Sequence, residues 1–225
     1  YAATDGGLSI STDGGNTFVN TTTANGLGNN FVFGVYATAS TVYAGTYYGG
    51  LSISTDGGNT FINKTTADGL GSNVVYGPYT SGSTLYAPTY GGLSISTDGG
   101  NTFINKTTAN GLGNNAVRGV YASGSTVYAA TDGGLSISTD GGNTFTNKTT
   151  VNGLGSNNIY GVYASGDAVY AATGGGLSIS TDGGDTFTNR TTANGLGSDY
   201  LFGVYASGDA VYAATYGGGL SISTD

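Results

Sequence analysis

The chain has 225 residues, among them 44 Gly, 18 Tyr and 8 Phe, and it contains no Glu, Gln, His, Cys, Met or Trp. That alphabet excludes zinc sites of the usual kind, Ser-His-Asp triads, thiol nucleophiles and the common haem ligands, and no cofactor or metal is expected. The 13 acids, all Asp, outweigh 5 Lys plus Arg to give a net charge of −8, too few cations for a nucleic-acid or anionic membrane surface.

No apolar run approaches the roughly 20 residues of a membrane span, so membrane insertion is not expected. Tyr, Val, Ile, Thr and Phe favour strands, and helix formers other than Ala and Leu are scarce, which predicts an all-β chain. The absence of Cys leaves the compartment open. The sequence starts at Tyr1 with neither Met nor a signal-like segment, as expected of a portion of something longer.

Leu-Ser-Ile-Ser-Thr-Asp occurs six times, its last residue falling at Asp13, Asp56, Asp98, Asp140, Asp182 and Asp225. A period of about 42 residues with several short strands per unit fits the blades of a β-propeller. Leucine-rich, ankyrin and tetratricopeptide units are shorter, and a β-solenoid usually has shorter rungs. In chain order the division is a partial blade at 1–28, full blades at 29–71, 72–113, 114–155 and 156–197, and a partial blade at 198–225, all in one domain.

Within one unit the runs Ala116–Ala122, Thr126–Thr131, Gly134–Ser138 and Thr144–Thr149 read as strands A to D, separated by Gly-rich hairpin turns. In the third run Leu135 and Ile137 point to one face, Ser136 and Ser138 to the other. The first partial blade holds strands B, C and D and the last holds A, B and C, for 22 strands in all. Five closed blades would need about 20 and six about 24 at four strands per blade. The expectation is five blades, or six if the terminal strands form separate blades.

Ser11-Thr-Asp13-Gly-Gly-Asn-Thr-Phe18 resembles the Asp box of sialidase-type and related β-propellers, also known as the BNR repeat. The pattern recurs at Ser54–Phe61, Ser96–Phe103, Ser138–Phe145 and Ser180–Phe187, and is cut short at Ser223–Asp225. The resemblance implies a propeller in which Asp13, Asp56, Asp98, Asp140 and Asp182 hold a structural turn between strands C and D, with the Phe entering the core between blades. The chemistry supports such a turn, because Asp can accept backbone N–H bonds and Gly can take positive φ.

A sialidase would need an arginine cluster and Glu, yet the only arginines are Arg118 and Arg190 and there is no Glu. Paired Asp carboxylates could serve a glycosidase, but the Asp residues outside the boxes mostly sit in turns, so catalysis is a remote alternative. Asp132-Gly-Gly followed by Asp140-Gly-Gly lacks the nine-residue spacing of calcium-binding repeats.

Asn20, Asn63, Asn105, Asn147 and Asn189 each head an Asn-x-Thr sequon on strand D. A glycan there would cover an outer sheet edge against association, which makes these five Asn the glycosylation candidates and glycans covalent or bound partners. The start of strand A varies (Phe33, Tyr76, Arg118, Tyr160, Phe202 among its residues), as does the B–C turn (Tyr48, Tyr90, Tyr216). Antiparallel pairing brings both variable sets to one end of each blade, an aromatic face of interface-like composition. Pro78 is compatible with an inner edge strand, whereas Pro88 on strand B conflicts with a central strand.

The expected function is that of a non-catalytic extracellular or cell-surface structural protein. Unpaired terminal strands would join subunits head to tail into an oligomer or fibre. The alternatives are a lectin-like propeller reading glycans through the aromatic face, and a truncated piece of a longer array.

Overall fold

The computed structural model describes residues 1–224; Asp225, the sixth repeat Asp, lies outside the described residues. The chain divides into two compact units, residues 1–106 and 107–225.

In the first unit β1 (Ala2–Thr4), β2 (Gly7–Ile10) and β3 (Val19–Thr21) form a three-stranded sheet. β4 (Val32–Ala37), β5 (Val42–Thr46), β6 (Gly50–Ser54) and β7 (Ile62–Lys64) form the second sheet, and β8 (Tyr79–Ser81), β9 (Thr84–Thr89), β10 (Gly92–Ser96) and β11 (Ile104–Lys106) the third.

The second unit repeats the plan. β12 (Val117–Ser123), β13 (Thr126–Thr131), β14 (Gly134–Ser138) and β15 (Thr146–Lys148) are followed by β16 (Ile159–Ser165), β17 (Ala168–Thr173), β18 (Gly176–Ser180) and β19 (Thr188–Arg190). A three-stranded sheet of β20 (Leu201–Ser207), β21 (Ala210–Thr215) and β22 (Gly219–Ser223) ends it.

Among the described residues there are thus 22 strands in six antiparallel meander sheets. The terminal strands form separate sheets, so the six-sheet arrangement replaces the five-blade one. Strand D of the fourth sheet is shorter than expected, Thr146–Lys148 instead of Thr144–Thr149. The reason is local: the preceding turn extends through Phe145, and Thr149 leaves the strand to cap a 3₁₀ turn at Thr150–Asn152. Five such turns follow the D strands (Thr23–Asn25, Thr66–Asp68, Thr108–Asn110, Thr150–Asn152, Thr192–Asn194). Each Thr hydroxyl before the turn accepts a backbone N–H, and a left-handed Gly follows it.

Both faces of the C strands of the four inner sheets are covered. Leu51, Leu93 and Leu135 are fully buried, and so are Ser52, Ser94, Ser136 and Ser178 on the opposite face. The core lies between successive sheets: Leu8 packs with Leu27, Val32, Val42 and Phe61 in the first unit, and Leu135 with Leu154, Ile159, Val169 and Phe187 in the second. A buried Ser survives because it is satisfied. Ser136 Oγ accepts the Gly113 N–H at 3.0 Å and donates to Asn147 Oδ1 at 2.9 Å.

The two prolines have a structural account. In the third sheet strand A is broken: Val75 makes an isolated bridge to Thr89, and regular pairing resumes only at Tyr79↔Tyr86. Tyr76 N–H donates to the Pro88 carbonyl at 2.9 Å. The N–H and C=O of a strand residue point to the same side, so the donor missing at Pro88 faces the broken strand A. Pairing of β9 with β10 continues through Leu93↔Pro88.

Candidate partner-binding face

The Asp turns are closed structural units. At each box the Ser hydroxyl donates to the Asp carboxylate at 2.6–2.7 Å, and the Thr hydroxyl donates to its other oxygen at 2.6–2.7 Å. The Thr backbone N–H adds a third bond at 3.0 Å. These donors hold every box carboxyl well below the usual carboxylate range. The Thr side chain is the main cause at Asp13, Asp56 and Asp98, and the Ser side chain at Asp140 and Asp182. With its lone pairs committed to its own loop, each carboxylate is a fixed strut. Gly58 follows at φ 99°, where a Cβ would also collide with Ile10.

The five sequon asparagines are struts too. The amide nitrogens of Asn20, Asn63, Asn105, Asn147 and Asn189 donate at 2.7–2.8 Å to the carbonyls of Gly6, Gly26, Gly91, Gly133 and Gly175. The Thr two residues on is the cap of the 3₁₀ turn. Persistence of Asn and Thr at these positions therefore has a reason independent of glycosylation, since the nitrogen that would carry a glycan is turned onto a backbone carbonyl.

The variable residues do gather at one end of the sheets. In the first unit Phe33 meets Phe31 at 5.0 Å, Tyr47 at 5.8 Å and Tyr76 at 5.0 Å between ring centroids, and Tyr47 meets Tyr48 at 4.3 Å. Tyr48, 66% exposed, has φ 58°, a left-handed conformation unusual for an aromatic residue. Tyr90 is exposed at the equivalent turn of the third sheet.

In the second unit Tyr200 lies 4.9 Å from Tyr160, 5.5 Å from Phe202 and 5.8 Å from Tyr216. Its hydroxyl donates to Tyr160 Oη at 2.5 Å. Burial, then that contact, pushes the Tyr160 phenol up to about 12. Arg118 makes a two-pronged ion pair with Asp132, Nε to Oδ1 and Nη2 to Oδ2, both at 2.8 Å. Sequence reasoning singled out Arg118 but missed this partner, although Asp132 occupies the very B–C turn that faces it. Among the described residues no group of three or more His, Cys, Asp or Glu could hold a metal ion, and no helix is long and apolar enough to cross a membrane.

Compared with protein-family models and with curated proteins, the chain finds no match. Among solved structures it is similar to the extracellular domain of a B. thetaiotaomicron hybrid two-component system, with 19% identity, 98% of this chain and 31% of that chain covered, and a TM-score of 0.74. An ancestral GH74 enzyme shares 21% identity over 81% of this chain and 27% of its own, with a TM-score of 0.65. PorZ, a bacterial surface component of the type-IX secretion system of Porphyromonas gingivalis, shares 13% over 98% and 31%, also with a TM-score of 0.65. The chain spans less than a third of each of these chains. Together with the meander sheets, the similarity defines the class: this is a β-propeller-type fold of antiparallel meander sheets, four of them four-stranded and the two terminal ones three-stranded.

Proposed function

We propose that the chain is a non-catalytic, extracellular structural protein of the Asp-box kind, whose copies associate head to tail through their terminal blades. One observation carries the reading. Phe61, Phe103, Phe145 and Phe187 are 7–8% exposed, whereas Phe18 in the first sheet is 54% exposed. In the last sheet Leu220 and Ile222 are each 59% exposed, while the corresponding Leu51 and Ile53 are at most 9%. Inside each unit a Phe of one sheet packs on the Leu of the sheet before it, as Phe61 does on Leu8 and Phe187 on Leu135. The first sheet thus offers the covering residue and the last sheet the residues to be covered.

A contact between unlike faces propagates from copy to copy unless its rotation closes a ring. The box carboxylates are tied into their turns, which supports a role without catalysis. The extracellular placement is drawn from two similar structures, an extracellular domain and a surface component.

Sedimentation velocity and electron microscopy of the 225-residue polypeptide test the reading. Oligomers or filaments should form and should be abolished by Phe18→Asp or by deleting Tyr212–Asp225. A strictly monomeric chain at high concentration would overturn it, as would filaments that survive the deletion. Blades of a longer polypeptide could cover the same faces, which is why the 225-residue chain itself is the test object.

The cluster of half-buried Tyr160 with exposed Tyr200, Phe202 and Tyr216 favours a second reading, a lectin-like propeller that stacks sugars on this face. Binding of a specific glycan on an array, lost in Tyr160→Ala, would support it.

A further inference from the structure

The opposite ends of the strands carry a repeated feature of their own. Each A–B hairpin is bracketed by two tyrosines seven residues apart, Tyr121 and Tyr128, Tyr163 and Tyr170, Tyr205 and Tyr212. They pair directly across the two strands. Successive A strands then align Tyr121, Tyr163 and Tyr205 in a ladder with centroids 5.0 and 4.9 Å apart.

Two clefts open beside this ladder, both inside the second unit. The first, about 290 Å³, is lined by Tyr121, Thr126, Tyr128, Tyr163 and Ser165 among others. The second, about 360 Å³, repeats it one blade on with Tyr163, Ser165, Tyr170, Tyr205 and Ser207. Tyr163 and Ser165 are common to both.

The chemistry of the walls selects the ligand. Phenol, Ser and Thr hydroxyls both donate and accept, as a polyol requires. No charged side chain lines either cleft. The exposed hairpin aspartates, Asp167 acting on Tyr128 and Asp209 next in sequence to Gly208, would repel an anionic sugar. Burial raises the phenols of Tyr128 and Tyr163, so both walls stay neutral at physiological pH. Volumes near the lower end of ligand pockets, roughly 300 Å³, suit one sugar unit per cleft.

We propose that these two clefts are a tandem binding site for neutral glycans, independent of the aromatic face at the other end of the strands. One neutral chain could occupy both clefts, gaining from the tethering of the second contact by the first.

Isothermal titration with maltotriose, cellotriose, mannotriose and chitotriose, and with trigalacturonate as the acidic control, tests this. At least one neutral trisaccharide should bind with sub-millimolar affinity, and trigalacturonate should not. Tyr163→Ser should weaken binding more than tenfold by removing the shared wall, whereas Tyr121→Ser and Tyr205→Ser should each remove one cleft and leave the other. Circular dichroism checks that each variant is folded, and the single-cleft variants carry the test if Tyr163→Ser is not. Absence of binding by every neutral sugar would overturn the proposal. So would binding unaffected by all three variants, or binding lost instead in Tyr160→Ala, which would move the site to the opposite end.

Discussion

The first sheet (β1–β3) and the second (β4–β7) carry the same repeat and differ mainly in what lies beside them. Their Asp turns are superposable in chemistry: Ser11 and Ser54 donate to Asp13 and Asp56 at 2.7 Å, and Thr17 and Thr60 close the loops at 2.6 and 2.7 Å. Their aromatic residues are not, since Phe18 is 54% exposed and Phe61 is 8% exposed. The buried serines differ likewise. Ser52 is fully buried, accepts the Gly28 N–H and donates to Asn63 at 2.6 Å, whereas Ser9 is partly exposed and reaches Asn20 at 3.4 Å. The turn is therefore a local property of eight residues, and the core is borrowed from the neighbouring blade.

The largest effect that could break this distinction is at the aromatic position. Phe61→Ala should destabilise the protein by about 3–5 kcal/mol, the usual range for emptying a buried aromatic site. Phe18→Ala should change stability by no more than about 0.5 kcal/mol. Urea unfolding at low concentration measures both, and equal losses would mean that Phe18 is covered in solution.

Ser52→Ala comes next. It leaves the Gly28 N–H without its acceptor at a partly buried position, for an expected loss of about 1–3 kcal/mol. Ser9→Ala should stay within about 0.5 kcal/mol.

The acid response should instead be alike in the two sheets. The folded-state pKa of Asp13 and of Asp56 is depressed. Their contribution to stability is thus complete above the unfolded Asp value, about 3.9, and is lost as pH falls through the lower folded value. Carbon-13 titration should find both carboxylates still ionised well below pH 4. A normal titration at Asp13 alone would show that the turn depends on its neighbour after all.

Much of this was legible in the sequence because it is periodic. The 42-residue spacing, the Gly-rich hairpin turns and the Asp box locate the strands to within a residue or two, and the B–C turn next to the start of strand A locates the aromatic cluster. What escaped was burial and side-chain hydrogen bonding, which the periodicity does not encode. Leu135 and Ser136 read as alternating onto opposite faces of the strand, yet Ser136 is as fully buried as Leu135, bonded to the Gly113 N–H and to Asn147. The Asn147-Lys-Thr149 pattern reads as a sequon, yet its partners are the Gly133 carbonyl and the N–H of Val151. That second partner was readable, since Thr149 followed by Asn152-Gly153 is a capping signal ending in a left-handed Gly. The nearness of Arg118 to Asp132 was readable too, because antiparallel pairing sets the start of strand A beside the end of strand B, whereas the bulge at Arg118 was not.

The smallest expected effect concerns the third sheet, where the local-versus-borrowed distinction meets a defect. Pro88 lies opposite Leu93 in the intact β9–β10 ladder, and its absent donor faces a strand A already interrupted next to Pro78. Pro88→Ala alone gives back an N–H with no regular partner and frees the unfolded chain, a change worth about 0.4–1 kcal/mol. The expected outcome is thus a destabilisation below about 1 kcal/mol. Replacing both residues, Pro78→Val with Pro88→Ala, should allow strand A to pair along its length, interrupted only by a bulge, as β12 does with β13. The double variant should then be more stable than the sum of the single ones, and a double-mutant cycle reads that coupling directly. Strict additivity would show that the break in strand A comes from residues other than the two prolines. A loss of several kcal/mol from Pro88→Ala alone would show that the proline supports the core instead of being tolerated by it.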